Sequence, residues 1–158
     1  MEVTTNNYEA TQKAGEAFGK KLQGGDIIFL YGNLGAGKTT FMQGLAKGLG
    51  ISHRIISPTF IIVRSYEVPN YSSSEARSLE DSRHFVRTIQ KLYHIDLYRT
   101  ETRHDLESIG LADMLHDKHA VIAVEWPEKF GTLPDKRYDI HFETIDENTR
   151  RITIEKYE

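Results

Sequence analysis

The stretch that decides the fold is GNLGAGKTT, residues 32–40. Gly32, Gly37, Lys38 and Thr39 fit the pattern G-x-x-x-x-G-K-T of a phosphate-binding loop, or P-loop. Glycines let the backbone approach a ligand closely, so that successive N–H groups converge on phosphate oxygens. Lysine at this position reaches the β- and γ-phosphates, and the threonine hydroxyl is placed to bind Mg²⁺. The predicted nucleotide-binding residues of the loop are Asn33, Leu34, Gly35, Ala36, Gly37, Lys38, Thr39 and Thr40.

The sequence on both sides of the P-loop supports this interpretation. Residues 26–31 (DIIFLY) are an apolar run of strand length. The apolar residues after the loop recur at the spacing of one helix face and are Phe41, Met42, Leu45, Ala46 and Leu49. A strand, a glycine loop and a helix in this order form the context in which the pattern binds phosphate. The alternative is a glycine-rich turn that binds nothing.

The composition is that of a globular protein, and 158 residues predict a single domain, 1–158. With 20 basic and 23 acidic residues the net charge is −3, which disfavours a dedicated nucleic-acid binder. The absence of cysteine excludes disulfides, thiolate metal sites and cysteine catalysis. Neither a signal peptide nor a membrane-spanning apolar run is recognisable. We therefore expect a cytoplasmic protein without a membrane association.

Two acidic residues lie at the ends of predicted strands. Residues 120–124 (AVIAV) are typical of a buried strand in a parallel sheet, and Glu125 follows them. In P-loop proteins the acidic residue at this place holds the Mg²⁺ shell, although Asp is more usual there. Asp96, near the end of a predicted strand in residues 91–99, is the second candidate. It would act as a direct or water-mediated metal ligand, or would orient a water molecule.

Three further features leave alternatives open. Residues 57–60 (SPTF) resemble loops in which a hydroxyl senses γ-phosphate and Mg²⁺, but an ordinary Ser-Pro turn is the alternative. Residues 68–89 are polar and serine-rich and predict an inserted loop, which either contacts a partner or is a solvated surface insert. Trp126 is predicted to pack at the nucleotide site or at a partner surface, with core packing as the alternative.

The remaining segments have simpler patterns. Residues 7–22 predict a first helix that Asn7 caps. One or two short helices are predicted within residues 103–116, which Gly110 interrupts. Apolar and polar residues alternate in 138–143 and again in 150–156, which predicts an antiparallel hairpin at the edge of the sheet.

Five segments occur together in the order GNLGAGKTT, SPTF, HIDLYR, LESIGL and VEWPEK, at residues 32–40, 57–60, 94–99, 106–111 and 124–129. Together they closely resemble the TsaE family of bacterial P-loop ATPases. The resemblance implies an α/β fold with a mainly parallel, P-loop NTPase-like sheet flanked by helices. It also implies ATP binding with Mg²⁺, slow hydrolysis, and a role in making threonylcarbamoyladenosine in tRNA. In that family the ATPase is thought to reset the TsaB–TsaD complex, so its association with tRNA would be indirect.

The resemblance also assigns roles to individual residues. It places Lys38 on phosphates, and it places Thr39 and Glu125 on Mg²⁺. Asp96 resembles the acidic residue needed for hydrolysis, and Thr59 resembles the hydroxyl of the switch loop. Lys38, Asp96 and Thr59 are therefore the expected catalytic residues, and the two additional nucleotide-binding residues that the resemblance implies are Trp126 and Thr11.

Two other functions are compatible with the residues. One is a small-molecule P-loop kinase, for which the arginines of residues 77–87 would form a lid. The other is a nucleotide-dependent adaptor that does not require hydrolysis. No arginine finger is identifiable in the sequence, so we expect slow turnover alone and faster turnover when a partner completes the site.

Overall fold

The computed structural model describes residues 1–58, 62–69, 89–101 and 103–158. Thr59, the predicted switch hydroxyl, and residues 70–88 of the predicted insert lie outside the described residues. None of the helices in the described part of the chain is long and apolar enough to cross a lipid bilayer.

Strands and short helices alternate along the chain. The strands are β1 (Glu2–Thr5), β2 (Ile27–Tyr31), β3 (Val63–Glu67), β4 (Lys91–Asp96), β5 (Ala120–Glu125), β6 (Arg137–Thr144) and β7 (Arg150–Tyr157). The helices are α1 (Tyr8–Gly19), α2 (Lys38–Gly48), α3 (Arg103–Ser108) and α4 (Leu111–Leu115), and a 3₁₀ turn spans Pro127–Lys129. The P-loop therefore connects β2 to α2, as the sequence predicted.

The seven strands form one sheet in the order β1-β7-β6-β2-β5-β4-β3. The neighbouring pairs β6–β2, β2–β5 and β5–β4 are parallel, while the outer pairs are antiparallel. This arrangement confirms the predicted α/β class. The hairpin of β6 and β7 lies on one side of the sheet, and β1, which the sequence analysis did not anticipate, is the outermost strand beside it.

Strand β2 shows why the sheet is buried on both faces. Ile28 and Leu30 belong to one apolar cluster, which also contains the buried side chains of α1 and α2. Ile27 and Phe29 belong to a second cluster, with residues of α3 and α4. Because successive side chains of a strand point to opposite faces, a wholly apolar strand requires a helical layer on each side.

Helix α2, which begins with the P-loop lysine, is held closely against α1. A Cβ atom added at Gly44 would lie only 1.9 Å from the carbonyl oxygen of Gln12, so no other residue fits at this crossing. The N-terminus of α1 is fixed by Asn7, whose side chain accepts a hydrogen bond of 2.7 Å from the Ala10 amide, as predicted. These contacts give the P-loop a rigid support.

Candidate functional site

The P-loop wraps around the ammonium group of Lys38. Lys38 Nζ donates hydrogen bonds to the carbonyl oxygens of Gly32, at 2.5 Å, and Asn33, at 3.0 Å. The residue is only 5% exposed. The lysine is thus fixed at the base of the loop, where an incoming phosphate group would meet its charge.

Gly37 adopts a backbone conformation that the motif requires. Its φ of +103° lies in the left-handed region, which side chains with a Cβ rarely adopt. This turn directs the chain into α2, so that the first amide groups of the helix point out of the loop as donors for an anion. A Cβ atom added at Gly37 would lie 3.7 Å from the Thr11 methyl group and 3.9 Å from Arg150 Cγ.

Asp96 and Glu125 form a pair of carboxylates beside the loop. They are register partners on the parallel strands β4 and β5, and each is the last residue of its strand. Both are buried, with 3% of each residue exposed. Two acidic groups so close together repel each other unless a cation lies between them.

Ser57 and Tyr98 both donate hydrogen bonds to the side chain of Asp96. Its Oδ2 accepts from the Ser57 hydroxyl at 2.7 Å, and its Oδ1 accepts from the Tyr98 amide at 2.9 Å. Ser57 is the first residue of the predicted switch segment, residues 57–60. Asp96 therefore connects the end of β4 to that segment and has a defined orientation.

Glu125 is held differently. Its Oε1 is 2.8 Å from Nε2 of His94, a fully buried residue of the neighbouring strand β4. An ionised carboxylate only accepts hydrogen bonds, so Nε2 carries the proton in this pair.

Burial and the nearby carboxylates act on the pKa of Lys38 in opposite directions. Burial lowers the pKa of Lys38 from its ordinary value of 10.5, while Glu125, Asp96 and Glu128 act in the opposite direction through their negative charge. The carboxylates thus help to retain the proton of a desolvated lysine.

Trp126 forms an aromatic wall next to this lysine. The centre of its indole ring is 4.5 Å from Lys38 Nζ, and its ring packs against Tyr98 with centroids 5.0 Å apart. Its φ of 59° is a left-handed conformation, which is unusual for a large residue. The 3₁₀ turn that follows Trp126 is held to the loop after β4, since Lys129 Nζ donates hydrogen bonds to the carbonyl oxygens of Tyr98 and Thr100. Core packing alone does not describe Trp126, because it borders the cleft.

These groups surround one cleft of about 390 Å³. The predicted residues that line it are Leu34, Gly35, Gly37, Lys38, Thr39, Thr40, Asp96, Glu125 and Trp126. Asn33 contributes its carbonyl to Lys38, and Ala36 is buried beneath the loop. Cavities of about 480 and 590 Å³ lie elsewhere, but neither contains the loop or the carboxylates, so we assign the site to the smaller cleft.

Thr11 is not among the residues that line the cleft. It is buried, and its hydroxyl lies 2.8 Å from that of Thr5 and donates to the Asn7 carbonyl at 3.2 Å. Its methyl group approaches Gly37 instead. A role of Thr11 in nucleotide binding remains a prediction.

The sequence analysis missed four residues of the site, namely Ser57, His94, Tyr98 and Arg99. Ser57, Tyr98 and Arg99 line the cleft, and His94 supports Glu125 from below. Three of them belong to HIDLYR, so their position around Asp96 was a usable signal. The fourth, Ser57, lies in SPTF, the segment in which a hydroxyl was predicted at Thr59 and not at Ser57.

The oxygen groups of the cleft suit a magnesium ion. Mg²⁺ prefers oxygen ligands and is usually bound by one or two carboxylates together with substrate phosphates. The hydroxyl of Thr39 and the carboxylates of Glu125 and Asp96 border the same space. The chemistry of these donors fits the ion, and the adjacent P-loop provides for the phosphates.

Comparisons with known proteins identify the family of the chain. The family model described as "Threonylcarbamoyl adenosine biosynthesis protein TsaE" matches residues 5–152. A tRNA threonylcarbamoyladenosine biosynthesis protein TsaE from Aquifex aeolicus is 36% identical over 157 residues, which cover 97% of this chain and 94% of that protein. A protein of the same name from a Nostoc species is 34% identical over 149 residues, covering 92% of this chain and 80% of the relative.

The fold of the chain is also found in a solved structure. The crystal structure of Bacillus subtilis YdiB matches with a TM-score of 0.72 and 29% sequence identity, over 100% of this chain and 86% of that one. The sequence and structural matches extend over nearly the whole chain. The chain belongs to the TsaE family of tRNA threonylcarbamoyladenosine biosynthesis proteins.

Proposed function

We propose that this protein binds ATP with Mg²⁺, hydrolyses it slowly, and thereby resets a TsaB–TsaD complex during tRNA threonylcarbamoyladenosine modification. The observation that carries the proposal is the convergence of Lys38, Asp96 and Glu125 on one cleft beside the P-loop. A lysine and two carboxylates at a phosphate-binding loop are the groups that phosphoryl transfer to water requires.

Binding of the triphosphate follows from the P-loop and α2. The backbone amides after Gly37 act as anion donors, and Lys38 supplies a positive charge that is already desolvated. A lysine at the base of such a loop needs little reorganisation when phosphate arrives, because its position is fixed by two carbonyl groups.

Hydrolysis is assigned to the carboxylate side of the cleft. Asp96 is held by Ser57 and by the Tyr98 amide, so it offers an oriented acceptor for the proton of an attacking water. Thr39 and Glu125 are the residues that would hold Mg²⁺, which when bound neutralises charge on the phosphate oxygens. Lys38 stabilises the same charge from the loop side.

The open mouth of the cleft supports slow turnover by the isolated chain. Leu34 on the P-loop is 78% exposed and Tyr98 on the opposite wall is 43% exposed. Exposed apolar side chains at the mouth of a site favour contact with a partner. A partner that covers them would remove water from the cleft and strengthen every charge interaction within it.

The test is ATP hydrolysis by the purified chain, alone and with the TsaB–TsaD pair of the same organism. We expect slow phosphate release that the pair accelerates. Lys38→Ala should abolish phosphate release both alone and with the pair. Lys47→Ala should leave phosphate release unchanged, because Lys47 is an exposed lysine of the same helix outside the cleft.

Other outcomes would favour the two alternative functions. ATP binding without hydrolysis in either condition would indicate a nucleotide-dependent adaptor, particularly if an Asp96→Ala variant remained functional in cells. Transfer of the γ-phosphoryl group to a metabolite pool, in place of phosphate release, would indicate a kinase. Hydrolysis by Lys38→Ala at the rate of the parent chain would refute the proposed mechanism.

A further inference from the structure

His94 is a polar residue in a place where the fold needs none. It lies on β4, between β5 and the edge strand β3, its side chain has no exposed surface, and its register partner on β5 is Ala123. Its Nε2 is bonded to Glu125 Oε1 at 2.8 Å. Its Nδ1 is buried and has no hydrogen-bond partner among the described residues.

Such an arrangement is a liability for stability. A buried polar atom without a partner carries an uncompensated desolvation cost, and apolar residues of similar volume fit such positions without it. Among the described residues, the His94 ring makes one hydrogen bond, and that bond is to Glu125. The benefit of this histidine must therefore lie in what it does for Glu125.

Glu125 requires such a support because of its length. A glutamate has one more rotatable bond than the aspartate that is usual at this place, and ordering that bond costs conformational entropy. Asp96, on the neighbouring strand, is held by the Ser57 hydroxyl and the Tyr98 amide. The hydrogen bond from His94 holds the longer side chain of Glu125 in a comparable way.

We infer that His94 is a positioning residue, which holds Glu125 Oε1 so that the carboxylate presents its other oxygen to the magnesium ion. This inference rests on the proposed function. Residues that hydrogen-bond a ligating carboxylate orient it and tune metal affinity, typically by about 10–100-fold. His94 would thus affect the Mg²⁺-dependent part of nucleotide binding and not the part that the P-loop provides alone.

The experiment compares two amide variants of His94. In His94→Gln the amide nitrogen can take the place of Nε2, whereas in His94→Asn the side chain is too short to reach Glu125. ADP affinity is measured with Mg²⁺ and with EDTA, using the fluorescence of Trp126, the single tryptophan of the chain. Trp126 is a suitable reporter because its ring lies 4.5 Å from Lys38 Nζ.

We expect His94→Asn to raise the Mg²⁺ concentration needed for half-maximal binding by about tenfold or more, with an unchanged affinity in EDTA. His94→Gln should stay close to the parent. Equal weakening of both variants in Mg²⁺ and in EDTA would show a purely structural role and overturn the inference. Parent-like Mg²⁺ dependence in His94→Asn would overturn it as well.

A second variant tests the inference if His94→Asn does not fold. His94→Leu fills the buried position with an apolar side chain of similar volume that cannot donate a hydrogen bond to Glu125. We expect it to raise the Mg²⁺ concentration needed for half-maximal binding while leaving the affinity in EDTA unchanged, and parent-like Mg²⁺ dependence would overturn the inference. If the parent chain itself binds ADP without any Mg²⁺ dependence, the proposed function fails together with the inference, and this result is distinguishable from the others.

Discussion

Asp96 and Glu125 are register partners on adjacent parallel strands, and each is the last residue of its strand. Adjacent strands lie about 4.8 Å apart, so the two side chains emerge from the same edge of the sheet. The P-loop begins directly after Tyr31, at the corresponding end of β2, the strand next to β5. The edge thus brings the P-loop next to a pair of buried carboxylates, which is the arrangement on which the proposed binding of a magnesium nucleotide rests.

Replacing Asp96 by asparagine should separate binding from hydrolysis. The amide keeps the size of the side chain but cannot accept a proton, so we expect nucleotide affinity to be retained and phosphate release to fall by about 10²–10⁴-fold. Phosphate release and ADP affinity, measured on the same preparation, check this prediction.

A matched control for that variant is Asp139→Asn. Asp139 is also a buried carboxylate, but it pairs with Arg137 at 3.0 Å and does not line the cleft. Loss of the Asp139 charge should lower the temperature of unfolding but leave the rate of ATP hydrolysis per folded molecule unchanged. If Asp96→Asn hydrolyses ATP as fast as Asp139→Asn, the role assigned to Asp96 is wrong.

Arg99 lines the cleft from the loop that follows β4, and we predict that it acts when a partner is bound. Arg99→Ala should reduce partner-stimulated hydrolysis by about tenfold or more, towards the roughly 10³-fold effect of an arginine finger. Arg99→Lys should not restore it, because lysine lacks the planar fork of the guanidinium group.

The control for Arg99 is Arg54→Ala, an exposed arginine that lines a different cavity. It should behave like the parent chain in the presence of the TsaB–TsaD pair. Equal stimulation of Arg99→Ala and Arg54→Ala would contradict the prediction, and equal loss in both would indicate a general effect of surface charge.

The parts of the site that are contiguous in sequence were predictable. The P-loop is specified by glycines and a lysine at fixed spacing, so GNLGAGKTT located β2, the loop and α2 without further information. Glu125 was found because it closes an apolar run, and Asp96 because it lies near the end of a predicted strand. Their position side by side was not visible, since it depends on β4 and β5 being neighbours in the sheet.

The unpredicted features all depend on sheet order or on short segments. The hydrogen bonds from Ser57 to Asp96 and from His94 to Glu125 join residues that are 39 and 31 positions apart. Strand β1 has the sequence EVTT, which is too short and too polar to show an apolar alternation. It forms only because β7 offers an unpaired edge, and no local signal in the first residues reveals that edge.

Gly44 provides a test of the helix contact that supports the P-loop. In Gly44→Ala the new Cβ would lie 1.9 Å from the Gln12 carbonyl oxygen, a backbone atom that cannot move alone. Alanine favours a helix by about 1 kcal/mol over glycine, but overpacking costs about 1–3 kcal/mol or more, so we expect net destabilisation. Chemical denaturation measures the free energy of unfolding. Lys13→Ala on the exposed side of α1 is the control, and stabilisation of Gly44→Ala would contradict the close contact.

Lys38 should make the stability of the fold depend on pH at the alkaline end. Burial lowers its pKa below the 10.5 of an unfolded lysine, so between the two values the unfolded chain binds more protons than the folded one. Stability therefore rises with pH through this range, because ∂ΔG/∂pH for unfolding is positive when the unfolded state holds the extra proton. In Lys38→Met this contribution is absent.

The measurement is the free energy of unfolding of the parent and of Lys38→Met at several pH values from neutrality to about 10.5, the unfolded pKa of lysine. Other groups titrate equally in the two proteins, so they cancel in the difference between them. We expect the parent to gain stability relative to Lys38→Met as the pH rises, since its lysine can then shed the proton that burial disfavours. Lys47→Met, which removes an exposed lysine of the same helix, should show no such trend. If the difference in free energy of unfolding between the parent and Lys38→Met does not change with pH, the prediction is wrong. The carboxylates of Asp96 and Glu125 would then fully compensate the burial of the ammonium group.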